Sequence, residues 1–163
     1  MVVGVHTVSD DWISDVYACI SGTIASDATG TCALCDIGTY KTTPGSTPCI
    51  GCPSDSNAAE GSNKVSDCTC NRGYTGANGG PCVACIAGKY KVATGDAACT
   101  NCVAGQYSVA IGATSDVCQT CVTDSNSVEA SDKQTDCICN SGYTGANGGP
   151  CGECLAGKYW MEL

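Results

Sequence analysis

The stretch that decides the fold runs from Cys49 to Cys85, CIGCPSDSNAAEGSNKVSDCTCNRGYTGANGGPCVAC. It returns 69 residues later at 118–154, with 23 of 37 positions identical and GYTGANGGPC unchanged at 73–82 and 142–151. Cys49, Cys52, Cys68, Cys70, Cys82 and Cys85 reappear as Cys118, Cys121, Cys137, Cys139, Cys151 and Cys154. A fixed internal period marks an array, in which similar units stack on their neighbours. It points to a scaffold or binding surface before it points to a catalyst.

Composition supports an array without a large core. The 163 residues include 17 Cys and 21 Gly, but no Phe and only two Trp and two Met. That cysteine density belongs to secreted disulfide scaffolds, which replace a missing apolar core with covalent links. The expected compartment is oxidising, outside the cell or on its surface. Net charge is −9 with seven Lys and Arg, so no basic stripe is present to neutralise a phosphate backbone, and nucleic-acid binding is not expected. No apolar run approaches the length of a membrane-spanning helix, so this segment is not expected to insert in a membrane. Residues 1–17 lack the basic and apolar regions of a signal peptide, and Cys154 opens a unit that stops nine residues later. The expectation is a fragment of a longer protein, or only its ordered part.

Two unit types alternate. The first reads C-x-x-C-x-x-G-x-Y, at Cys32/Cys35/Gly38/Tyr40, Cys82/Cys85/Gly88/Tyr90, Cys99/Cys102/Gly105/Tyr107 and Cys151/Cys154/Gly157/Tyr159. The second starts at Cys52 or Cys121, passes through D-S-N and D-C-x-C-N, and ends in GYTGANGGPC. Six of the seven tyrosines hold fixed places in these units, so each ring is expected to cover a disulfide as the small core of its unit. The segments 77–81 and 146–150, Ala-Asn-Gly-Gly-Pro, read as turns, because Asn and Gly tolerate positive φ and Pro fixes the exit. The predicted fold class is small and disulfide-rich: a linear array of short β-ribbon and loop modules with little regular secondary structure and no single large core. A helical turn is expected only in Ala-containing pieces such as 109–114.

Spacing alone does not prove connectivity. One scheme accommodates every position by pairing each cysteine with the next across a loop: Cys19–Cys32, Cys35–Cys49, Cys52–Cys68, Cys70–Cys82, Cys85–Cys99, Cys102–Cys118, Cys121–Cys137 and Cys139–Cys151. Cys154 is then unpaired in this segment. Adjacent links are separated by one or two residues, which predicts a fairly stiff rod. The competing reading is zinc, because Cys32-x2-Cys35-x13-Cys49-x2-Cys52 approaches a zinc-ribbon spacing. The C-x-C pairs at 68/70 and 137/139 break that pattern, and the single His, His6, lies far from the cysteines, so no metal or other cofactor is expected. No nucleophile–base grouping, phosphate loop or βαβ redox context is readable, so the chain is expected not to be an enzyme.

At this point the residues carry a resemblance. C-x-C-N-x-G-Y-x-G followed by cysteine resembles the C-terminal half of an epidermal growth factor-like module. The C-x-x-C-x-x-G-x-Y units resemble ephrin-receptor-like and tumour necrosis factor receptor-type cysteine-rich repeats. Their mixture over about residues 19–160 is similar to arrays in surface and flagellar-hair (mastigoneme) proteins of algae and other protists. The resemblance to epidermal growth factor-like modules implies that the last two cysteines of each such unit pair, Cys70 with Cys82 and Cys139 with Cys151. No full six-cysteine module is present, so crossed pairings such as Cys49–Cys68 stay open. The calcium-binding pattern of that family is missing, and Asp55, Asn57, Glu60, Asp124, Asn126 and Glu129 read as turn formers and solvated charges rather than calcium ligands.

The resulting division is 1–18, a cysteine-free cap or subunit-docking strand; 19–48, a first cysteine-rich unit; 49–81, an epidermal growth factor-like unit; 82–117, two C-x-x-C-x-x-G-x-Y units; 118–150, the repeat of 49–81; and 151–163, the start of a further unit. No N-x-S/T sequon occurs, whereas Thr42, Thr43, Ser46 and Thr47 in TTPGSTP are expected acceptors for O-linked sugars. The functional expectation is a non-enzymatic extracellular structural protein, a subunit of a filament or coat whose partners are copies of itself or other extracellular proteins. The alternative is the ectodomain stalk or ligand-binding array of a receptor or adhesin.

Overall fold

The structure, a computed structural model, describes residues 19–25 and 31–155. The segment 1–18 lies outside them, as do Gly157, Tyr159 and Trp160. Among the described residues, sixteen short strands form eight antiparallel two-stranded ribbons. In chain order they are β1 (Thr23–Ala25) with β2 (Cys32–Leu34), β3 (Thr39–Tyr40) with β4 (Ile50–Gly51), and β5 (Ser56–Asn57) with β6 (Thr69–Cys70). There follow β7 (Tyr74–Thr75) with β8 (Val83–Ala84), β9 (Lys89–Tyr90) with β10 (Thr100–Asn101), and β11 (Gln106–Tyr107) with β12 (Gln119–Thr120). The last are β13 (Ser125–Asn126) with β14 (Ile138–Cys139), and β15 (Tyr143–Thr144) with β16 (Gly152–Glu153). Each ribbon and its loop make one hairpin module, numbered 1 to 8 below. Ribbons this short are not stable alone, and here each is closed by a disulfide.

By contact the chain divides into two units, Met1–Asn71 with Gly76–Cys82, and Arg72–Thr75 with Val83–Leu163. The first holds β1 to β6 and the loop of module 4. The second holds β7 to β16. Four disulfides lie in each.

The fold is a small, disulfide-rich array with no large core. Among the described residues the largest fully buried side chains are the half-cystines Cys19, Cys35, Cys68, Cys70, Cys85, Cys102 and Cys137, together with Lys41. Small residues complete the interior: Ala58 and Ser62 in the first unit, and Ser108, Ala113, Ser127 and Ser131 in the second. Tyr40, Tyr74, Tyr90, Tyr107 and Tyr143 are only half-buried. Half-cystines and small residues therefore make up most of the buried interior, and these tyrosines keep part of their surface exposed.

The stretch 109–114 is not a helical turn. Its backbone groups are taken by the preceding module: Gly112 N–H donates to Cys85 O at 2.7 Å, and Ala113 O accepts from Lys91 N–H at 3.0 Å. Ala113 thereby forms a parallel bridge with Tyr90. The helical turns lie elsewhere, as 3-10 turns at Val65–Asp67 and Gln134–Asp136. The aspartate of each D-C-x-C-N run fixes one. Asp67 Oδ2 accepts from Asn63 and Lys64 N–H, and Asp136 Oδ2 from Asp132 and Lys133 N–H, all at 3.0 Å.

Candidate functional site: the joints between hairpins

Each joint starts from one turn. The third residue after the opening cysteine of every module takes positive φ: Gly22, Gly38, Asp55, Gly73, Gly88, Gly105, Asp124 and Gly142, from +59° to +90°. The two unit types of the sequence thus share one turn, with Asp in place of Gly in modules 3 and 7. Asp tolerates this conformation better than most residues with a Cβ. The sequence signal was available as C-x-x-[G/D] at every opening cysteine.

The turn carbonyl is capped by the third residue after the closing cysteine. Cys35, Cys52, Cys85, Cys102, Cys121 and Cys154 donate N–H groups to the O atoms of Gly22, Gly38, Gly73, Gly88, Gly105 and Gly142 at 2.8–2.9 Å. Where the spacing is C-x-C, the same rule brings Asn71 to Asp55 O and Asn140 to Asp124 O, at 2.9 and 2.8 Å. Loss of one residue moves Cys70 and Cys139 back into the strand, opposite Ser56 and Ser125. The C-x-C and C-x-x-C spacings are two solutions of one geometry.

The turn N–H groups reach forward. Gly22 and Gly38 donate to the carbonyls of Lys41 and Ala58 in the first unit, at 2.8 and 2.9 Å. Gly73, Gly88 and Gly105 donate to Lys91, Ser108 and Ser127 in the second, at 3.0, 2.7 and 2.9 Å. A third module closes over the joint. A Cβ on Gly22, Gly73 or Gly88 would stand 2.3, 2.3 or 2.2 Å from Gly61 O, Gly112 O or Ala130 O, two modules further on.

Two lysines thread these joints, and the sequence reading missed them. Lys41 and Lys91 directly follow Tyr40 and Tyr90 and are buried, with exposures of 1% and 3%. Lys41 Nζ donates to Thr23 O at 2.9 Å and to Gly45 O, and Lys91 Nζ to Tyr74 O at 2.7 Å and to Gly95 O. Each ties the preceding ribbon to its own loop. Ser127 holds the same place in module 7 and reaches the equivalent carbonyl, Gln106 O, at 2.9 Å. The signal was G-x-Y-K at 38–41 and 88–91.

The disulfides run in chain order: Cys19–Cys32, Cys35–Cys49, Cys52–Cys68, Cys70–Cys82, Cys85–Cys99, Cys102–Cys118, Cys121–Cys137 and Cys139–Cys151. Their Cα–Cα distances are 5.6–5.8 Å, the ordinary disulfide span. Among the described residues Cys154 has no disulfide partner.

The acidic and amide side chains serve local structure. Asn57 and Asn126 Oδ1 accept from Ala58 and Ser127 N–H at 2.9 Å, and Glu129 Oε1 accepts from Asn101 Nδ2 at 2.9 Å. Glu60 is exposed. Asp124, beside Tyr143, raises that phenol above its ordinary value of 10.0; desolvation, Glu153 and a hydrogen bond with Asp124 act the same way. Thr42, Thr43, Ser46 and Thr47 are all exposed on the module 2 loop.

Hairpins fastened in this way define a cysteine-rich repeat domain. The family model described as tyrosine-protein kinase ephrin type A/B receptor-like matches residues 22–68 and 73–121, more than half of the chain. The chain belongs to that family. No curated protein matches the sequence significantly. Eight disulfides and this family together mark an extracellular domain.

Proposed function

We propose that this chain is a non-enzymatic structural protein of the cell exterior, a mastigoneme-like subunit of a filament or surface coat. The observation that carries this reading is the linker-free joint. Within each unit, the residue that caps one turn stands at the start of the next module, so consecutive hairpins share backbone hydrogen bonds. Such joints suit a part that holds its form under load. The hydroxyls support the same reading, since Thr23, Thr39, Ser56, Ser62, Ser125 and Ser131 each donate to the carbonyl three residues back. They act in folding rather than in chemistry.

The family match favours a second reading, the ectodomain of a receptor or adhesin. Electron microscopy of native, unreduced material separates the two. Filaments or sheets with a regular repeat are expected for the structural subunit. Single molecules, or molecules attached to membrane without lateral order, would replace it with the receptor reading.

A further inference from the structure

Modules 2 and 5 contain the same loop twice. Residues 41–49 and 91–99 have the same pattern of burial, position by position. Both loops begin at a buried lysine bonded to a glycine carbonyl at the loop centre, Gly45 or Gly95, with φ of +120° and +118°. Both end at a disulfide spanning 14 residues with a Cα–Cα distance of 5.8 Å. The buried lysine, the glycine turn and the disulfide are common to the two, but the exposed residues are not. Module 5 builds the loop from Val92-Ala93-Thr94-Gly95-Asp96-Ala97-Ala98, and module 2 from Thr42-Thr43-Pro44-Gly45-Ser46-Thr47-Pro48.

Folding therefore does not demand the four hydroxyls and two prolines of module 2, because the sister loop forms without them. We propose that this loop is a modification site, in which Thr43 and Thr47 carry O-linked sugars. Each precedes a proline, which holds it in extended backbone, and both are exposed. A threonine–proline segment of this kind is the usual substrate composition for O-glycosylation. In the transfer, threonine Oγ attacks the anomeric carbon of a nucleoside-diphosphate sugar. The carbon–oxygen bond to the sugar forms as the anomeric carbon–phosphate oxygen bond breaks. The nucleoside diphosphate leaves with the electron pair, and a base of the transferase takes the hydroxyl proton. The sugars would hydrate a loop closed beneath by the Cys35–Cys49 disulfide.

The test is peptide mapping of protein from its native source, using fragmentation that preserves glycosidic bonds. Sugar masses on Thr43 and Thr47, with residues 92–98 unmodified, are expected. An unmodified 42–48 peptide, or one bearing only phosphate or hydroxyl groups, overturns the proposal. The double variant Thr43→Ala, Thr47→Ala installs the sister loop's residues at both positions. It is expected to form the same eight disulfides and to lose the sugar. Retention of sugar on the loop would overturn Thr43 and Thr47 as the acceptors.

Discussion

Lysine is the least expected residue in the interior of a chain with so few apolar side chains, and Lys41 and Lys91 show what admits it. A buried polar group must find partners, and carbonyls from the preceding ribbon and the residue's own loop converge on each Nζ. Lys91→Met retains the stem but leaves Tyr74 O and Gly95 O without that donor, and is expected to cost about 2–4 kcal/mol. Chemical denaturation with the disulfides intact measures the loss. The same burial predicts reactivity. An amine-acylating reagent should label the exposed Lys64 and Lys133 in the native protein, and Lys41 and Lys91 only after reduction and unfolding. Rapid labelling of Lys91 in the native state would refute its placement.

At the scale of the element, the hairpin turn is one device used eight times, but its neighbours differ. Gly88 and Gly105 hold the same turn position with φ of +79° and +81°. Above Gly88 lies a backbone carbonyl, with Ala130 O 2.2 Å from the place an alanine methyl would take, whereas at Gly105 the nearest atom is Asn126 Oδ1 at 3.1 Å. Gly88→Ala and Gly105→Ala both cost about 1–2 kcal/mol for left-handed backbone. Gly88→Ala adds about 1–3 kcal/mol of overlap with backbone that has no rotamer to yield. Denaturation midpoints of the two oxidised variants should therefore differ, with Gly88→Ala the lower; equal losses would mean that the third module does not close over the joint. The turn itself was legible as C-x-x-G. Its aspartate form at Asp55 and Asp124 stands at the same spacing but was passed over, because the surrounding D-S-N and C-x-C residues disguised a shared geometry as a second unit type.

For the whole molecule, covalent closure stands in for a core. Ile37, Ile111, Val128 and Leu155 remain 69–78% exposed, so aliphatic burial contributes little at these positions. Each disulfide closes a loop of 12–16 residues, worth about 3 kcal/mol in restrained unfolded-chain entropy. Complete reduction is expected to unfold the chain. Limited reduction under native conditions should open Cys19–Cys32 first, since Cys32 is the one exposed half-cystine among the sixteen paired. Differential alkylation and mass spectrometry report the order, and earlier opening of Cys35–Cys49 would contradict it.

The sequence by itself determined the class of fold. Its cysteine density, 69-residue period and lack of Phe leave a disulfide-rich array of short ribbons as the way to fold without a core. Composition and repeat are read directly from the chain, and the disulfide loops they imply close over 12–16 residues. Only the tertiary structure decided what lies between modules: the forward bonds from Gly22 to Lys41 and from Gly88 to Ser108, and the carbonyls around Lys41 and Lys91. Those bonds join residues 17 to 20 positions apart and end on backbone carbonyls, which carry no residue signature. They follow from how the hairpins stack, and a reading of side-chain types has no access to that.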